Sequence, residues 1–175
     1  MRASLLAALL VFCAAEITIA EASSAAAALG ELKSLAGDWE GTLEWSGART
    51  GSGPAGATYY TSGNGSAVIE NLIMDGVPTM TSVYHLDGAD LRMTHFCAAQ
   101  NQPRLKAAVI DLEKGIVDFQ FVDITNLKSP DAGHVVGLKL QFLAPDHVVL
   151  VFTFEGAGKT SRERIDLKRA STLRG

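Results

Sequence analysis

The sequence predicts an all-β protein: an up-and-down antiparallel barrel of about ten strands, preceded by one short helix. Three observations predict it. Turn signals recur eleven to sixteen residues apart: Asn64-Gly65, Asp75-Gly76, Asp87-Gly88, Gln100 to Pro103, Lys114-Gly115, Ser129 to Gly133, Pro145-Asp146 and Gly156 to Gly158. The runs between them are rich in Val, Ile, Phe, Tyr and Thr, and several alternate. Val117, Phe119 and Phe121 alternate with Asp118 and Gln120, and Leu138, Leu140 and Phe142 with Lys139 and Gln141. Period two with one apolar face marks half-buried strands joined by hairpins. Third, no long helical period interrupts the runs. Closing the meander removes the two bare edges that an open sheet would leave. A two-sheet sandwich is the structural alternative.

The chain opens with Met1-Arg2, an apolar run from Leu5 to Ala15, and Thr18-Ile19-Ala20. That is the layout of a secretory signal peptide over 1–20, its apolar run too short to span a bilayer. The protein is therefore expected to be exported, to a periplasmic or extracellular location. A lipid anchor on Cys13 is disfavoured by the bulky Phe12 before it. Removing Arg2 and Glu16 takes the 15 basic and 19 acidic residues to 14 and 18, still −4. A mildly acidic chain without a basic run argues against nucleic acid or an anionic membrane as partner. Only Cys97 then remains, so an intramolecular disulfide is excluded and stability must come from core burial.

Residues 21–28 read as a flexible, small-residue leader, and 29–175 as one barrel domain. Leu29, Leu32 and Leu35 suit one or two helical turns, stopped by Gly37. Strands are expected near 39–46, 57–62, 66–74, 78–86, 90–98, 103–112, 116–122, 135–143, 147–155 and 159–168. The stretch from Arg49 to Gly56, with Pro54, reads as a mobile loop over one mouth.

Most of the chemically capable groups gather between Tyr84 and Arg104. If Gly88-Ala89 forms the hairpin turn, Leu86 faces Leu91, Tyr84 faces Met93, Ser82 faces His95 and Met80 faces Cys97. This set is the more apolar and should point inward, with Glu70 or Asn71 beside Ser82. An apolar interior with a few placed polar groups fits a ligand pocket. The candidate ligand-binding residues are Ser82, Tyr84, Met93, His95, Cys97, Asn101 and Arg104. Met74 and Met80 would add an adaptable lining.

Each has a plainer reading. His95 would be a core histidine satisfied by Ser82 or a carbonyl, Cys97 a small buried filler, and Gln100 to Arg104 a hydrogen-bonded loop. In the functional reading, Arg104 grips a carboxylate at the mouth, or Arg162 and Arg164 do. His95 and Cys97 supply only two ligands of the three or four a metal needs, so no metal is expected.

Leu35-Ala36-Gly37-Asp38-Trp39-Glu40-Gly41, after a short helix and before the first strand, resembles the Gly-x-Trp opening of the calycin superfamily. That superfamily includes the lipocalins and fatty-acid-binding proteins. The resemblance covers roughly 35–170 and looks most like secreted bacterial lipocalin-like domains of unassigned function. It implies a barrel whose Trp plugs the closed end under a basic residue of the last strand: Arg164, Lys168 or Arg169. It also implies a habit of holding apolar ligands. Haem-holding barrels of the nitrobindin type are similar in strand count, but need an axial His from a late strand. The candidates, His134 and His147, both lie beside turns, so no cofactor is expected.

The leading functional expectation is an exported binding protein for a small, largely apolar or amphipathic molecule. One alternative is a hydrolase or isomerase using His95 as acid–base, helped by Tyr84 or Cys97. No Gly-x-Ser-x-Gly, His-Glu-x-x-His or nucleotide loop supports it. The other is a structural, partner-binding envelope domain.

Overall fold

The computed structural model describes residues 24–171. The expected signal peptide and residues 21–23 of the leader lie outside the described residues. A helix, α1 (24–34), is followed by ten strands. These are β1 (Gly37–Gly47), β2 (Gly51–Ser62), β3 (Ala67–Met74), β4 (Val77–Asp87), β5 (Asp90–Phe96), β6 (Gln102–Asp111), β7 (Ile116–Thr125), β8 (His134–Ala144), β9 (His147–Gly156) and β10 (Lys159–Arg169). Each pairs antiparallel with the next, and β10 pairs with β1 to close the barrel.

The helix is already formed at 24, ahead of the expected 29. Alanine is the strongest helix former, and Ala25, Ala28, Leu29 and Leu32 fall on one face at helical spacing. That face is buried on one end of the barrel, which is why the alanines fold rather than trail as a leader. Gly37 turns the chain out of the helix at φ 124°, a value disfavoured for residues with a Cβ. Gly41 is required for a different reason. A Cβ there would lie 1.9 Å from the Asp166 carbonyl oxygen, so its absence allows β1 to close against β10.

The capped end has its own lock. The Trp39 indole is buried and donates from Nε1 to the Leu35 carbonyl at 2.7 Å. Arg169 lays its guanidinium over the Trp39 ring, 4.5 Å from the centroid. It also donates to the carbonyls of Ala36 and Ser34 at 2.8 and 2.9 Å, joining helix to last strand. Of the three basic residues expected there, Arg169 is the one in place. Arg164 instead pairs with Asp166 on the outer surface.

The expected loop over 49–56 is a strand from Gly51 onward. Residues 51–54 pair with β1 but not with β3, whose ladder to β2 begins at Ala55. A proline fits such a one-sided stretch, so Pro54 does not break it. The other boundaries follow the expectation to within a few residues, and the β4–β5 register runs Leu86–Leu91, Tyr84–Met93, Ser82–His95.

Two seams are short. β5 and β6 share pairs only from Arg92–Lys106 to Thr94–Arg104. β7 pairs with β8 from Ile116 to Gln120 and leaves 121–125 unpaired on that side. Both thin places adjoin the end opposite the helix.

Candidate functional site

The barrel interior has two parts. Next to the helix it is filled: Tyr84, Phe119, Leu72, Leu105, Leu140 and Ile165 are fully buried. At the other end a cavity of about 370 Å³ opens among the β1–β2, β3–β4 and β5–β6 turns.

Across the filled part runs a polar row set by register. Tyr59 pairs with Glu70, Glu70 with Ser82 and Ser82 with His95, so four inward side chains on β2, β3, β4 and β5 are neighbours. Strand tilt makes the row a diagonal. Tyr59 meets Trp39 edge-on at the capped end, centroids 6.2 Å apart. His95 meets Phe152 at 5.0 Å, just beneath the cavity.

Glu70 is fully buried and accepts from the hydroxyls of Tyr59 at 2.8 Å and Tyr84 at 3.1 Å. Burial pushes its carboxyl up to about 6, while hydrogen bonds from Tyr59, Ser82 and Tyr84 pull it partway back. Ser82 Oγ lies 3.0 Å from His95 Nδ1. Which of the two donates depends on the His95 tautomer, and the ring's other nitrogen is Nε2. That Nε2, and Glu70 Oε1, are buried without a hydrogen-bond partner among the described residues. Burial pushes the His95 ring down to about 4, so it is neutral at pH 7.

The cavity itself is lined by other residues. Leu43, Met74, Met80 and Val135 form apolar walls, Phe152 the floor, and Trp45 and Phe154 an edge-on aromatic pair 6.3 Å apart. Its polar groups are Arg49, Glu163, Thr79 and Cys97. Arg49, in the turn after β1, stacks its guanidinium 4.1 Å from the Phe154 centroid and 5.0 Å from that of Trp45. Glu163 points inward from β10 between Trp45 on β1 and Phe152 on β9 and is only 6% exposed. Burial pushes its carboxyl up to about 7, against the pull of Arg49. Burial likewise pushes the Cys97 thiol up.

The expected site residues therefore divide. Ser82, Tyr84, Met93 and His95 are inward but lie below the cavity floor and do not line it. Cys97 lines it, as do Met74 and Met80. Asn101 is buried in the turn region and donates from Nδ2 to the Gly133 carbonyl at 2.9 Å, bracing one hairpin against the next. Gln100 and Gln102 are committed in the same way, to Lys128 and Asn126, and to Thr125. Arg104 is on the outer wall, forked onto Asp123 at 2.5 and 2.8 Å, away from the mouth. Arg162 is exposed too. Alternation places every second residue of β10 inside, and Glu163 is the one between two outward arginines. That signal was present in the sequence, as was the alternation of Leu150, Phe152 and Phe154 along β9, whereas nothing local marked Arg49.

Among the described residues no group of three or more His, Cys, Asp or Glu could hold a metal ion. No helix among them is long and apolar enough to cross a membrane. The late-strand histidines are held by hydrogen bonds, His134 Nδ1 to the Ala132 carbonyl at 2.9 Å and His147 Nε2 across to Asp166 on β10 at 2.7 Å.

No protein-family model matches the chain, and no curated protein matches it by sequence. Solved structures do resemble it in shape. Rv2717c from M. tuberculosis superposes with a TM-score of 0.55 at 15% identity, covering 82% of this chain and 98% of that one. A protein of unknown function from the DUF3598 family of Nostoc punctiforme PCC 73102 gives 0.54 at 11% identity, covering 79% of this chain. The match spans only 49% of the Nostoc protein, about half its length. At these identities the likeness is one of fold: a closed ten-stranded antiparallel barrel.

Proposed function

We propose that this protein is an exported, lipocalin-like carrier that binds a small, largely apolar molecule in the open end of its barrel. The observation that carries the reading is the cavity of about 370 Å³, walled by Leu43, Met74, Met80 and three aromatic rings, with few polar groups. That volume and composition suit a small-molecule site. The opposite end is plugged by Trp39 and the helix, so a ligand enters and leaves by one mouth. Export fits the amino-terminal Met1 to Ala20 pattern.

Native mass spectrometry of freshly purified protein and titration with a fluorescent fatty-acid probe test this. Saturable, one-to-one probe binding that quenches Trp45 is expected. A bare mass together with no probe binding at any concentration short of aggregation would sink it.

A further inference from the structure

Three arginines expected to hold an acidic ligand, Arg104, Arg162 and Arg164, are all on the outer surface. The carboxyl group inside the cavity is Glu163, nine-tenths buried and without a hydrogen-bond partner among the described residues. Its oxygens face the cavity space and are not sealed from it, so a donor that enters the cavity can reach them. The walls beside it are Trp45, Phe152 and Phe154, whose ring faces carry negative potential. Carboxylate and ring faces together attract a cation. The protein's own Arg49 already fills part of that role, stacked on Phe154 and Trp45. Among the described residues the one hydrogen bond of Arg49 to a side chain is from its backbone N–H to Ser161 Oγ at 3.0 Å. Its guanidinium makes no hydrogen bond to any described residue.

Resting on the carrier reading above, we infer that the ligand's head is an alkylammonium or similar N–H cation, held by Glu163 in the cage of Trp45, Phe152 and Phe154, and that Arg49 stands in that place until displaced. An ammonium supplies three donors to the unmatched carboxylate, which a carboxylate head cannot. Displacement needs only rotation of the Arg49 side chain, because the turn itself stays hydrogen-bonded to β10 through Ala48 N–H to Thr160 and Arg49 N–H to Ser161. The charge that Glu163 feels is that of Arg49, and the Cys97 thiol in turn feels Glu163. Its ladder neighbours Trp45 and Phe152 do not titrate, and His95 beneath Phe152 is neutral at pH 7. Binding of the cation therefore strengthens as pH rises through about 7, where Glu163 ionises.

Isothermal titration with decylamine, decanoate and decanol, on the full protein and on Glu163→Gln and Arg49→Ala, tests this. Near pH 8, decylamine is expected to bind about tenfold or more tighter than decanol, with decanoate weakest. Glu163→Gln should bring the amine to the level of the alcohol, and Arg49→Ala should tighten it. Decanoate binding best and failing in Arg49→Ala would overturn the inference and make Arg49 an acid anchor. Equal binding of all three, unchanged in Glu163→Gln, would leave the carrier reading standing and remove the cation. If none of the three binds, both readings fall.

Discussion

The imidazole of His95 and the ring of Phe152 lie 5.0 Å apart, and Phe152 is the partition between the polar row and the cavity. A ligand resting on Phe152 does not reach His95. Removing the ring should open the floor. Phe152→Ala is expected to destabilise the protein by about 3–5 kcal/mol, the usual loss for a buried aromatic. It should also let diethyl pyrocarbonate reach His95, which is protected in the parent. Peptide mapping after brief modification reads this, and equal labelling of His95 in both proteins would contradict the partition.

His95 also sets a pH dependence. Its folded value of about 4 lies below its ordinary 6.5, so the stability it contributes is present above pH 6.5 and lost as pH falls toward 4. The margin by which the parent exceeds His95→Gln should shrink by about 3 kcal/mol between pH 7 and pH 4. Glu70 acts in the opposite sense. Its value is raised from 4.5 to about 6, so its contribution is present at low pH and lost as pH rises across that window. The margin over Glu70→Gln should shrink by about 2 kcal/mol across it. Urea unfolding at several pH values measures both, and two flat differences would mean the burial is not as described.

Arg169 and Trp39 close the end away from the cavity. Arg169→Ala removes a stacked cation and its hydrogen bonds to the Ala36 and Ser34 carbonyls. A loss of about 1–2 kcal/mol in unfolding free energy is expected, with helix and last strand loosened together. Probe affinity should not change, because the two ends share no residue. A variant that unfolds normally but loses the probe would place the ligand elsewhere.

Cys97 and Arg104 were singled out together, and the structure separates them. Cys97 lines the cavity with its thiol pushed up by burial, so thiolate is scarce at pH 7. Iodoacetamide should label it more slowly than a free cysteine, and more slowly again with the cavity filled. Arg104→Ala, on the outer wall, should leave probe affinity and labelling rate unchanged. Ligand that fails to protect Cys97 would argue against the cavity as the binding site.

Much of the barrel wall could be read from local pattern. Alternation along β7, β8 and β9 and the Gly88-Ala89 turn were enough to orient β4 and β5 correctly, because side-chain direction has period two and a turn of known length sets register. Glu70 or Asn71 stayed undecided beside Ser82, since the β3–β4 ladder around the Asp75-Gly76 turn shifts register between Leu72 and Ile73, passing over Thr79, and no local pattern announces it. For the polar run Gln100 to Gln102 composition left two readings, a hydrogen-bonded loop and a ligand grip. Its side chains satisfy groups on the next hairpin, a demand set by neighbours roughly twenty to thirty residues away.

What the sequence by itself determined is a wall: which segments are strands, which faces are apolar, and that Trp39 follows a helix at one end. These depend on periodicity and turn chemistry, which act over a few residues. Only the tertiary structure decided that residues 24–28 belong to the helix, that Arg169 rather than Arg164 covers Trp39, and that the hollow lies above Phe152, with Glu163 and Arg49 at its polar end. Closure of the barrel brings β1 against β10 and tilts every strand. Groups far apart in sequence therefore meet by shear and packing volume, which a local pattern does not encode.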